Sequence, residues 1–150
     1  MSPVYDDLLS DLRGLFDGET DLIANAANAA AAMWQYLPEI NWAGFYFMKG
    51  EMLVLGPFAG KPACVRIPLG QGVCGTAAAS RETIVVPDVH EFPGHIACDS
   101  ASNSEIVVPL IRNGVVIGVL DIDSPLLDRF QPDDRIGCEA VASLFIKALG

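Results

Sequence analysis

The chain has 150 residues, 51% hydrophobic and 19% charged, which suits one domain with one core and excludes disorder. Nineteen acids against nine Lys and Arg give a formal charge of -10, and the few basic residues form no stripe, so nucleic acid is excluded as a partner. No window approaches ~20 uninterrupted apolar residues, and Met1 to Asp7 carries acids where a signal peptide carries basic residues; no membrane span and a cytoplasmic location are expected.

Val4, Leu8, Leu12 and Leu15 recur at helical spacing and predict a first helix, interrupted at Gly18. A second helix is expected from Thr20 to Tyr36, with Leu22, Ala26, Ala29, Met33 and Leu37 as its stripe and Pro38 as its stop. The period then falls to two. Trp42 to Met48 reads as a strand, Lys49-Gly50-Glu51 as a hairpin turn, Met52 to Leu55 as the return, and Gly56 to Pro62 as a loop. Cys64 to Ile67 is a short strand, Gly72 to Ser80 a helix of small residues, and Thr83 to Val86 another strand. Pro87 to Ser104 has no apolar repeat. Glu105 to Ile111 and Val115 to Leu120 form a hairpin about Asn113-Gly114, and Pro132 to Leu149 is a last helix that starts on proline. Hairpins dominate this order, so the fold class is α+β with a mainly antiparallel central sheet flanked by helices.

Gly70-Gln71-Gly72-Val73-Cys74-Gly75 matches the dinucleotide fingerprint, with Asp88 eighteen residues after Gly70. The hairpins around it leave no room for repeated βαβ crossovers, so the glycines are read as a turn that lets a small-residue helix pack closely. Four cysteines without a CxxC pair, and two histidines, fit no zinc pattern; no metal and no cofactor are expected. In a reducing compartment such thiols are core groups, redox groups or nucleophiles. Local electrostatics alone favours Cys74 as the reactive thiol, near a helix N-terminus. Cys138, on the Val141/Phe145 side of the last helix, reads as core. His90 and His95 read as exposed or structural.

Four segments carry a resemblance: NWAGFY at 41–46, IPLGQGVCGT at 67–76, HIACDSASNSEIVVP at 95–109 and VVIGVLDIDS at 115–124. Together they resemble the free methionine-R-sulfoxide reductases, which are GAF-fold enzymes; HIACDSASNSEIVVP is the specific part. The resemblance implies a single GAF domain over 1–150, with N-terminal helices in 1–37, a sheet in 41–123 holding an active-site loop at 87–104, and a C-terminal helix at 132–149. It implies reduction of free L-methionine-R-sulfoxide with Cys98 as the attacking thiol, Cys64 as the chief resolving partner and Cys74 able to join the relay. The family's acidic residues fall on Glu105, Asp121 and Asp123, and its aromatic pocket residues on Trp42 and Tyr46. Thioredoxin as reductant and a homodimer are implied in the same way. The rival reading is a non-catalytic GAF module that senses a small ligand; three matched cysteines disfavour it, because a sensor needs no sulfenic acid relay.

The residue types suit that chemistry. A thiolate attacks the sulfoxide sulfur, the oxygen leaves protonated, and a second thiol converts the sulfenic acid to a disulfide. Asp121 and Asp123 share one face of a strand, as do Trp42 and Tyr46. Counting inward from the Asn113-Gly114 turn with Arg112 facing Val115 places Glu105 opposite Ile122, with both aspartates as diagonal neighbours. Three crowded carboxylates repel one another, and the ammonium group of a free amino acid relieves that repulsion, as a peptide-bound residue does not. Crowding also keeps one carboxyl protonated near neutral pH, available to the sulfoxide oxygen; which one, the sequence leaves open.

Overall fold

The computed structural model describes residues 1–95 and 101–150. Helices α1 (Pro3–Phe16) and α2 (Leu22–Tyr36) lead into strands β1 (Trp42–Lys49), β2 (Met52–Gly60) and β3 (Arg66–Pro68). Helix α3 (Gly72–Ser80), strand β4 (Ile84–Val86) and a 3-10 turn at Val89–Glu91 follow. Strands β5 (Ser104–Arg112) and β6 (Val115–Ser124) and helix α4 (Pro132–Ala148) complete the chain. The six strands form one sheet in the order β3-β2-β1-β6-β5-β4, with every described pairing antiparallel. Sequence signals explain the ends. Asp21 caps α2 by accepting from Ala24 N at 2.8 Å, and Pro132 opens α4, where Gln131 N donates to Asp134 Oδ2 at 2.8 Å.

The sheet separates two apolar layers. On one side α1, α2 and α4 cover Ala43, Phe45, Phe47, Ile106, Val108, Leu110, Leu120 and Ile122. On the other, α3 packs on β3, β5 and β6 over a smaller cluster that includes Tyr46, Val107 and Val119. Strand alternation sorts neighbouring residues onto these two faces. Cys138 is fully buried in the first layer beside Tyr5, a free thiol whose pKa burial pushes up to about 12, as its core assignment requires.

Three expectations are corrected. The segment 56–60 is strand, not loop: β2 runs through Gly56 and Pro57 to Gly60 because a bulge between Gly44 and Tyr46 absorbs one extra residue on β2 there. The third strand starts at Arg66, so Cys64 stands just before it rather than inside it. The register of the β5–β6 hairpin also shifts. Arg112 faces Val115 and Ile111 faces Val116, but Leu110 faces Gly118, leaving Ile117 as the additional residue. Beyond this bulge Glu105 pairs with Asp123, not with Ile122. The shift decides the site. Directly paired residues share a face, so a hairpin without the bulge would turn Glu105 toward the Ile122 side, away from both aspartates.

The glycine fingerprint serves packing. Gly70 and Gly72 adopt positive φ (85° and 63°), and a Cβ on Gly75 would collide with the Pro68 carbonyl. Asp88 accepts from His90 N at 3.0 Å and caps the 3-10 turn, a local role with no bearing on a nucleotide.

Candidate active site

Glu105, Asp123 and Trp42 form one row across β5, β6 and β1, since Asp123 pairs with Glu105 on one side and with Trp42 on the other. Asp121 lies two residues along, beside Val107 and Gly44. All these side chains face α3, and a cavity of about 50 Å³ opens between them. Glu105 and Asp121 are 7% and 5% exposed, which is rare for carboxyl groups without a cation. The Cys74 Sγ and one oxygen each of Glu105 and Asp121 lie within 4.8 Å of one another.

Burial pushes the Glu105 and Asp121 pKa values well above the usual carboxylate range. Repulsion adds to it: Asp121 acts on Glu105, and Asp123 on Asp121. Both shifts favour the protonated form of these two carboxyl groups. Asp121 Oδ1 is buried with no hydrogen-bond partner among the described residues, an acceptor left over for a cation. The thiol and the two carboxyl oxygens are a donor set able to hold a divalent metal, although the sequence suggested none.

Cys74 corrects another expectation. It is the third residue of α3, where the helix dipole favours thiolate, yet burial raises its pKa strongly and Asp121, Glu105 and Asp123 raise it further. Desolvation and three acids outweigh one helix end, so Cys74 is a protonated thiol beside Asp121. It is free, whereas Cys64 is held in a disulfide. Cys98 lies outside the described residues, as does the centre of the expected 87–104 loop.

Trp42 and Tyr46 stack with ring centroids 5.9 Å apart, and Trp42 stacks on Phe58 at 5.2 Å. Their polar tips are committed elsewhere. Trp42 Nε1 donates to the Lys61 carbonyl at 3.1 Å, and the Tyr46 hydroxyl donates to the Cys64 carbonyl at 2.8 Å. The two aromatics thus hold the segment that carries Cys64 while lining the cavity. Burial, then the nearby acids, raises the Tyr46 phenol, so it stays a donor.

The structure adds wall residues that the sequence did not single out as site groups: Pro62, Ala63, Ile67, Val73, His95 and Ser102. His95 opens the HIACDSASNSE segment, the one signal the sequence offers for it, since a loop histidine by itself reads as exposed or structural. His90 is exposed and bonds its own Asp88, as expected. Ser102 is buried and accepts from Asn41 Nδ2 at 3.2 Å, while Asn103 N donates to the Ser124 carbonyl at 2.8 Å. These bonds pin the chain entering β5 to the residue before β1 and to the end of β6.

Comparison with known proteins gives the family of the chain. The GAF domain family matches residues 11–149. The free methionine-R-sulfoxide reductase of Escherichia coli is 52% identical over 97% of this chain and 88% of its own length. The chain belongs to the free methionine-R-sulfoxide reductase family of GAF domains. Solved members superpose closely. The fRMsr of Staphylococcus aureus, in complex with substrate, is 48% identical over 97% of this chain and 95% of its own, with a TM-score of 0.93. The enzyme of Neisseria meningitidis, in complex with its substrate, is 44% identical over 97% and 87%, also with a TM-score of 0.93. Among the described residues no helix is long and apolar enough to cross a membrane.

Proposed function

We propose that the protein reduces free L-methionine-R-sulfoxide to L-methionine, using thiols as the source of electrons. The observation that carries this reading is the pair of buried acids, Glu105 and Asp121, with the half-buried Asp123 between them, facing a small cavity next to the disulfide-bonded Cys64. The substrate's ammonium group enters the acidic cluster, and attraction there offsets the repulsion among the carboxyl groups. The S-methyl group lies against the ring faces of Trp42 and Tyr46, where sulfur-aromatic contacts are favourable.

The Cys98 thiolate attacks the sulfoxide sulfur. A proton held by the cluster passes to the oxygen; the S–O bond of the substrate breaks as the hydroxyl transfers to the Cys98 sulfur, the new S–S bond breaks with its electron pair on the substrate sulfur, and methionine leaves with Cys98 as a sulfenic acid. Cys64 then attacks that sulfur; a disulfide forms and water leaves. An external dithiol of the thioredoxin class reduces the disulfide and is itself oxidised, which closes the cycle. Glu105 and Asp123 are the acid pair nearest Trp42 in the row, and Asp121 completes the ammonium site. Cys74 joins the relay only after losing a proton that its surroundings retain, so its contribution to turnover is smaller than that of Cys64. A homodimer in the cytoplasm belongs to the same reading.

The competing reading, a ligand-sensing GAF module, offers no role for a redox-paired Cys64. The deciding assay follows loss of the R and S epimers of free methionine sulfoxide with dithiothreitol or thioredoxin. Loss of the R epimer alone is expected, and it should stop in Cys98→Ser. Loss of neither epimer, or full activity in Cys98→Ser, would contradict the proposal.

A further inference from the structure

The acidic cluster answers only half of the charge on a free amino acid. The substrate's carboxylate enters the same small cavity, where three carboxyl groups would repel it, so it needs a donor of its own. Among the described residues that line the cavity, His95 is the one basic side chain. We infer that His95 is a specificity-determining residue that donates a ring N–H to the α-carboxylate of the substrate. This rests on the reading above that the site takes a free amino acid sulfoxide, and it names the group that reads the other end of the zwitterion.

Three observations place His95 in that role. First, its ring is half-buried on the cavity wall, and its backbone N–H donates to the Phe92 carbonyl at 3.2 Å, which fixes it after the 3-10 turn. Second, burial and then His90 lower its pKa, which favours the neutral ring. A neutral imidazole still carries one N–H, so the contact needs no charge on the ring. Third, the start of α3 lines the same cavity at Gly72 and Val73, and Gln71 gives it no side-chain cap. The first N–H groups of a helix favour an anion, and this end adds to what His95 supplies.

The test compares free L-methionine-R-sulfoxide with its carboxamide, which keeps the ammonium and the sulfoxide but lacks the negative charge. KM and kcat are measured for the wild type, for His95→Ala and for His95→Phe, which keeps a ring and removes both nitrogens. The wild type should prefer the acid. Both variants should raise KM for the acid by roughly ten-fold, the size expected for a hydrogen bond to a charged group. KM for the amide and kcat for both substrates should change by less than about two-fold, so the acid-to-amide ratio collapses. That ratio does not depend on how much of a variant is folded. A ratio unchanged in both variants, or a fall in kcat at constant KM, would overturn this inference alone. No wild-type turnover of either substrate would overturn the reductase reading and this inference with it.

Discussion

The two faces of the β5–β6 hairpin carry opposite chemistry one residue apart. Ile106 and Ile122 pair with each other and lie in the helix-covered layer; Glu105, Asp121 and Asp123 lie on the other face around a cavity. The helix face is apolar, close-packed and closed by three helices, and it supplies stability. The cavity face buries carboxyl groups with raised pKa values, which costs stability until a cation arrives. One hydrogen-bonded ladder supports both because the pleat separates them, and the bulge at Ile117 decides which residues fall on which face.

Moving an acid to the wrong face breaks the comparison most severely. Ile122→Asp places a carboxyl group in the helix-covered layer, with no cavity and no cation to receive it. It should cost about 4 kcal/mol or more, read as a lower urea midpoint at constant m-value. A loss below about 1 kcal/mol would mean that this layer is wetter than its burial indicates.

Neutralising an acid on the proper face should have two effects of opposite sign. Glu105→Gln keeps the shape and removes the repulsion, so the ligand-free protein should gain about 1–2 kcal/mol. The same change should lower kcat/KM for the free sulfoxide by roughly 100-fold, through lost ammonium binding and proton supply. A variant both less stable and fully active would separate the cluster from function.

The pH dependence sharpens the same contrast. Glu105 and Asp121 hold protons in the folded state at pH values where the unfolded chain has lost them. Folding therefore binds protons above about pH 4, and the ligand-free protein should lose stability as pH rises from there through the raised values. Asp88 and Asp133 have lowered values and the opposite sign, but their effect lies below about pH 4 and both are exposed. A falling Tm between pH 5 and pH 8 is expected, with a flatter slope in Glu105→Gln; identical slopes would remove Glu105 as the cause.

The smallest effect is expected at a thiol on the helix face. Cys138→Ala should cost about 1–2 kcal/mol by leaving a small void, with turnover unchanged. Loss of turnover at equal stability would give this thiol a part in the relay.

Most elements were legible in the sequence because their signals are local. The helices α1, α2 and α4, the Asn113-Gly114 turn and the span Gly72–Ser80 all appear as expected, although Leu15 of the expected α1 stripe is exposed and Phe16 takes its place in the core. The bulges were not legible. No local signal distinguishes Ile117 from its neighbours as an added residue, and counting from the turn carries the error to Glu105. The aspartates at 121 and 123 share a face by spacing alone, but their meeting with Glu105 is tertiary. Cys74 misled for a related reason. A helix end is visible in the sequence, whereas burial and acids from two other strands are not.

The central claim is that the acidic face selects a free amino acid by its ammonium group. The most direct test measures kcat/KM for L-methionine-R-sulfoxide and for its N-acetyl derivative, which lacks that charge, with dithiothreitol as reductant. Rapid loss of the free form is expected, with the N-acetyl form at least about 100-fold slower, and with that ratio reduced in Asp121→Asn. Equal rates on both substrates, or a ratio untouched by Asp121→Asn, would contradict it.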